Sequence, residues 1–219
     1  MFVDIHTHLD NQSVIKIVDG DEVRILETAG VHPWELDRHF ECSEAESRNL
    51  LRLRGVDFST SVEMTRFFAI GEVGLDKVHK ETFEKQVEVF EEMIRLSESY
   101  RKPMIIHCVK AYSEIIEMRK KTKATLPWVI HGFNSSVETM RQLLKYNMYI
   151  SLGEVLYRNE NQAVEILKNI PFDRLFLETD VSGRDIKDVY NKAANLMGCE
   201  VEFLCKQIFE NYGRLEAAH

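Results

Sequence analysis

Short runs of apolar, β-branched residues recur along the chain: FVDIH at 2–6, SVIKIV at 13–18, RILETAGVH at 24–32 and FFAIGE at 67–72. They continue with PMIIH at 103–107, PWVIH at 127–131, MYIS at 148–151 and RLFLETD at 174–180. Near-continuous apolar runs of this length read as strands covered on both faces. Between the later runs the period becomes helical. Phe83, Val87, Phe90 and Ile94 fall at i, i+4, i+7 and i+11, one stripe that predicts a helix over roughly 80–100. Further helices are expected near 44–54, 112–123, 135–146, 160–169, 186–197 and 200–211, with Pro103, Pro127 and Pro171 marking strand entries.

Strand and helix alternating after residue 67 imply parallel strands joined by right-handed crossovers. Eight candidate strands suggest an α/β fold of the TIM-type (β/α)8 class, yet such barrels typically take about 250 residues. The shortfall in the 219 residues sits in the first quarter, where the first three strands are too close together for helices between them. The expectation is one domain over 1–219, a barrel trimmed and distorted at its start, with a seven-stranded or open version as the alternative.

Polar residues then change the picture. His6 closes the first run, His32 the third, Glu72 the fourth, His107 the fifth, His131 the sixth and Asp180 the eighth. In a parallel barrel these ends share one face, where such folds carry their active sites. His6 and His8 lie two apart on an extended chain and project the same way. Imidazole and carboxylate are the usual ligands of catalytic metal ions. His6, His8, Glu72, His107, His131 and Asp180 are too many for one tetrahedral ion and suit two. In this reading His6, His8 and Asp180 hold one ion, His107 and His131 the other, and Glu72 bridges them.

Composition narrows the class. Hydrophobic content of 44% and charged content of 29% are those of a globular protein with a sizeable core. No apolar stretch approaches the roughly 20 residues of a membrane span. The chain begins directly in its first motif, without a basic and apolar leader. Cys42, Cys108, Cys199 and Cys205 are scattered, as expected of reduced thiols in a cytoplasmic protein. A net charge of −8 argues against broad electrostatic binding of duplex DNA. Lys77, Lys80, Lys110 and Arg184 accordingly read as solvated surface charge rather than phosphate contacts.

The segments DIHTHLD (4–10), GVHPW (30–34), AIGEVGLD (69–76), PMIIHC (103–108), IHGF (130–133) and LETD (177–180), in this order, resemble the TatD-type metal-dependent deoxyribonucleases of the amidohydrolase-like superfamily. VYNKAANLMG and IFENYGRL are similar to that family's closing helices. The resemblance implies a barrel whose two-metal centre hydrolyses phosphodiester bonds, typically from the 3′ end of single-stranded DNA, supported by Mg or Mn. Zn or Ni suits the same ligands in purified protein. The family's ligand positions match His6, His8, Glu72, His107, His131 and Asp180. Three departures lie outside these six: only 23 residues separate His8 from His32, Val181-Ser182-Gly183 stands where the family has a small residue, proline and an aromatic, and HGF replaces HCF at 131–133.

The chemistry expected of such a site is attack by a metal-activated hydroxide, with Asp180 as general base. His32 is expected beside the ligands or against phosphate, and Glu178 on the same strand face as Asp180, either hydrogen-bonding a ligand histidine or satisfying donors of the barrel interior. Asp76 is expected to orient a loop in the same way. Trp34 and Phe133, just past strand ends, either stack on bases or pack the barrel rim. The main alternative is a small-molecule hydrolase of the same superfamily, acting on a lactone, cyclic amide or phosphoester. Many of those bridge their metals with a carboxylated lysine from the fourth strand, and here that strand offers Glu72 and no lysine. A phosphatase of the histidinol phosphatase type and a non-catalytic metal-binding protein are the remaining alternatives.

Overall fold

The computed structural model describes residues 1–9, 12–33 and 67–218. Within them eight strands follow chain order in one sheet. They are β1 (Phe2–Leu9), β2 (Gln12–Asp19), β3 (Glu22–Ala29), β4 (Ala69–Asp76), β5 (Met104–Val109), β6 (Trp128–Ile130), β7 (Met148–Leu152) and β8 (Leu175–Leu177). The helices are α1 (Phe83–Tyr100), α2 (Tyr112–Thr122), α3 (Val137–Leu144), α4 (Val155–Arg158), α5 (Glu160–Asn169), α6 (Ile186–Met197) and α7 (Val201–Glu216). The helix expected near 44–54 lies outside the described residues. The other expected elements are all present, and the short α4 is an addition.

Pairing is parallel from β3 through β8. The first quarter departs from the uniformly parallel barrel that the strand count suggested, because β2 is antiparallel to both β1 and β3. The reason is connection length. Only Gly20 and Asp21 join β2 to β3, with Gly20 at φ 62°. Two residues make a hairpin, whereas a parallel crossover needs about a dozen or more. Reversing β2 leaves β1 and β3 running the same way as β4 to β8, so the candidate residues keep their common end.

The sheet nearly closes between β8 and β1. Because β8 is only three residues long, side chains and loop backbone complete the seam. Thr7 and Asp180 form a parallel bridge, and the amide of Asp180 donates to the carbonyl of His6 at 3.0 Å. Further down, the hydroxyl of Tyr190 on α6 accepts from the amide of Val3 at 3.1 Å and donates to its carbonyl at 2.9 Å. One phenol thus does for β1 what a longer β8 would do, since buried backbone groups left unpaired are costly.

The strands from β4 onward are buried on both faces, as their apolar runs require. Phe90 and Ile94 of the α1 stripe are buried, while Phe83 and Val87 are partly buried against the same core. Polar side chains start the later helices: Ser136 accepts from Thr139, Asn159 from Gln162 and Asp185 from Lys187. Gly198, at φ 66°, ends α6. No helix among the described residues is long and apolar enough to cross a membrane.

Candidate metal centre

The sheet delivers its candidate residues to one place. His6 and His8 project from β1 and Glu72 from β4. His107 comes from β5, His131 follows β6, Asp180 follows β8 and His32 lies three residues past β3. Close backbone packing supports this convergence. At Gly74 (φ 156°) an added Cβ would sit 1.9 Å from the carbonyl oxygen of His107. Only glycine lets β4 approach β5 so closely behind that histidine.

Glu72 stands at the centre, and its two oxygens face different partners. Oε2 lies 3.2 Å from Nε2 of His6 and 3.4 Å from Nε2 of His8. Oε1 lies 2.7 Å from Nε2 of His131, 2.8 Å from Nδ1 of His107 and 3.1 Å from Nε2 of His32. Asp180 Oδ1 is 3.5 Å from Nε2 of both His6 and His8. Three groups of donor atoms are compact enough to hold a cation: His6 with His8 and Asp180, His6 with Glu72 and His131, and His32 with Glu72 and His107. His32, expected beside the ligands, belongs to the cluster itself.

The electrostatics of the cluster suit cations. His6 and His8 are both raised. Burial opposes this at His6, but the Glu72 charge and hydrogen bonds to Asp180 and Glu72 prevail. At His8 hydrogen bonds to Asp180 and Glu72 lift the imidazole to about 9. At His107 burial is outweighed by Asp76 and Glu72, again giving about 9. Burial and the neighbouring His6 charge lower His131 to about 4. Glu72 and Asp180 are held well below the carboxylate range by these imidazoles despite their own desolvation. Nε2 of His6 is buried and makes no hydrogen bond of regular geometry, although carboxylate oxygens lie within 3.5 Å of it. The imidazole nitrogens converge on the carboxylates of Glu72 and Asp180, with Nδ1 of His107 hydrogen-bonded to Oε1 of Glu72 at 2.8 Å. That arrangement, with its mixture of imidazole and carboxylate, fits divalent metal ions.

A second layer holds the donors in place. Ser13 Oγ on β2 lies 3.1 Å from Nδ1 of His6 and also accepts from Thr28 Oγ1 at 3.1 Å. Asp76 Oδ2 is 3.8 Å from Nε2 of His107, and the amide of Asp76 donates to Gln86 Oε1 at 2.7 Å. Glu178 takes the second of its two expected roles. Its Oε1 is 4.0 Å from Nδ1 of His131, beyond a hydrogen bond, and accepts instead from the amide of Gly132 at 2.5 Å. Burial raises the Glu178 carboxyl to about 8. Asp4 was not expected at the site. It accepts from the amide of Thr179 at 2.9 Å and from its hydroxyl at 2.6 Å, next to Asp180. Parity was the available signal, since positions 4, 6 and 8 share a strand face. Ser13 had none, because its position depends on the β1–β2 register.

Phe133 offers no surface to a base. It is fully buried, its ring 5.4 Å from that of Tyr112, so it packs the rim. Trp34 lies outside the described residues.

A barrel with an imidazole–carboxylate cluster at the carboxyl ends of its strands is an arrangement suited to a metal-dependent hydrolase. The chain matches the family model described as TatD related DNase over residues 1–216, and belongs to that family. As a member it is a metal-dependent hydrolase acting on ester bonds. It is 29% identical over 212 residues to YcfH of Escherichia coli (strain K12), an uncharacterized metal-dependent hydrolase, covering 90% of this chain and 75% of that protein. It is 34% identical over 157 residues to the human 3′-5′ RNA nuclease TATDN2, covering 69% of this chain and 19% of that protein. The crystal structure of the TatD homologue YJJV from Escherichia coli K12 superposes with a TM-score of 0.69 at 21% identity, over 87% of this chain and 76% of that one.

Proposed function

We propose that this chain is a two-cation phosphodiesterase that removes nucleotides from the 3′ end of nucleic acid, single-stranded DNA being its substrate. The observation that carries the reading is the division of the Glu72 carboxylate, with His6 and His8 on Oε2 and His107, His131 and His32 on Oε1. A carboxylate that bridged two cations through its two oxygens would be divided in this way. In this reading His6, His8 and Asp180 hold one cation and His107 with His131 the other, His32 lending a further nitrogen. Mg or Mn supports activity, and the nitrogen-rich donor set also accepts Zn or Ni. Family membership and the human relative's name as a 3′-5′ RNA nuclease support a phosphodiester substrate.

Divalent cations held by these residues would supply acidification of a water molecule and neutralisation of charge on the phosphoryl oxygens. The rest belongs to the chain. Asp180 is the general base, accepting the proton of the attacking water at its carboxylate. Its side chain is 31% exposed, unlike the 5% of Glu72, so it can pass that proton on to solvent. His6 and His8 hold the other face of Asp180 and fix its orientation.

The test is nucleotide release from 3′-labelled single-stranded DNA with Mg or Mn, beside Asp180→Asn prepared identically. The expected result is a loss of about 10²–10⁴-fold in the variant, the usual weight of a general base. Equal traces in both preparations would show that the activity is a contaminant and would overturn the reading.

A further inference from the structure

A cavity of about 590 Å³ opens at the carboxyl ends of β5 and β6. Cys108 and Gly132 in its wall are the chain neighbours of His107 and His131. The rest of the wall offers Lys110 and the side-chain amides of Asn134 and Gln142, beside the hydroxyls of Ser113, Ser135 and Thr139. Two of those hydroxyls are already engaged, Ser113 donating to Oε2 of Glu114 at 2.9 Å and Ser135 to Thr139 at 3.2 Å. Among the described residues no carboxylate lines the cavity itself, although the chain carries a net charge of −8. Lys77 of a neighbouring loop is paired with Glu114 at 2.5 Å, whereas Lys110 forms no ion pair among the described residues. Lys110 also adopts φ 55°, a left-handed backbone that costs a lysine energy and gathers at ligand sites.

We propose that this cavity is a second phosphate subsite, taking the phosphodiester next to the one being cleaved and the sugar attached to it. The inference rests on the phosphodiesterase reading above and adds to it how a strand, rather than a small ester, is held. Three observations favour a phosphate here. An unpaired ammonium and several neutral donors, without an acid, are the groups that contact phosphate and sugar in nucleic-acid complexes. The volume falls within the roughly 300–1,000 Å³ of small-molecule sites, enough for a nucleotide. Its wall is continuous with the ends of β5 and β6, so an occupant would be covalently within reach of a phosphate at the cluster. Lys110, which the sequence placed among the surface charges, thus acquires a role from its surroundings.

The test compares Lys110→Gln and the double variant Asn134→Ala/Gln142→Ala with the parent protein, in Mn, on two substrates. One is a single-stranded oligodeoxynucleotide, and the other is bis(4-nitrophenyl) phosphate, which has no second phosphate. One phosphate contact on a single strand contributes about 0.7 to the slope of log affinity against log salt, which is about fivefold near 0.1 M salt. For Lys110→Gln, the ratio of kcat/KM on the oligonucleotide to that on the small diester should fall about fivefold, through KM, and the salt slope should drop by about 0.7. The double variant should lower the ratio while keeping the salt slope. An unchanged ratio, or equal losses on both substrates, would overturn the subsite while leaving the phosphodiesterase reading intact. Failure of the parent protein to cleave either substrate would overturn that reading, and the subsite with it.

Discussion

Asp4 and Thr179 lie 175 residues apart in the chain, yet both carboxylate oxygens of the first accept hydrogen bonds from the second, at 2.9 and 2.6 Å. The pair fastens the strand that carries His6 and His8 to the segment that carries Asp180. It does so where β8 has already ended and backbone pairing is reduced to the bridge between Thr7 and Asp180. Burial raises the Asp4 carboxyl to about 6, with the Thr179 hydroxyl and amide pulling the other way.

Thr179→Val should therefore cost about 1–3 kcal/mol, the usual penalty for a buried acceptor losing its donor. It should also lower kcat more than KM, since Asp180 would lose its fixed place while the other donors keep theirs. Urea unfolding and steady-state kinetics read the two effects separately. A loss of stability with kcat unchanged would make the pair a structural seam only.

Gly74→Ala should be more damaging than its size suggests. The added methyl would meet the carbonyl of His107 at 1.9 Å, on a backbone with φ 156°. A loss of about 2–4 kcal/mol is expected, as for other sterically forbidden backbone substitutions. Metal affinity should fall as β5 is pushed away. Thermal denaturation checks the first and metal titration the second, and a variant as stable as the parent would contradict the close approach.

The metal-stripped protein should show a distinctive pH dependence. His8 and His107 are raised to about 9 from an ordinary 6.5. A group raised on folding contributes stability that is complete below its unfolded value and lost as pH rises through its folded one. Stripped protein should accordingly be less stable at about pH 9.5 than at about pH 6.5. Bound cations take the place of those protons, so metal affinity should rise over the same interval and proton release should accompany binding. Thermal melts with and without Mn across this range give both slopes. A stripped protein that gains stability between those two pH values would contradict the assignment.

The sequence made much of this legible, because strand-end chemistry is local. Each apolar run ends in its histidine or carboxylate, and period-two parity places His6 with His8. The reversal of β2 is written in Asp19-Gly20-Asp21, a two-residue turn signal between apolar runs that leaves no length for a parallel crossover. Other features depended on register or three-dimensional packing and had no local signature. The Tyr190 hydroxyl on Val3 is one, and the Ser13 contact with His6 is another. Phe133 shows the limit from the other side, since rim packing and base stacking have the same sequence, and only its burial against Tyr112 separates them. The same holds for Lys110, whose surroundings come from β5, α2, α3 and the loop after β6.

The central claim is that Glu72 joins two cations, and counting them tests it most directly. Stripped protein would be titrated with Mn by equilibrium dialysis, alongside Glu72→Ala. The expected result is two equivalents per chain for the parent protein, with the variant losing at least one of them and its phosphodiesterase activity together. A single equivalent in the parent, retained by Glu72→Ala, would contradict the bridge and with it the two-cation mechanism.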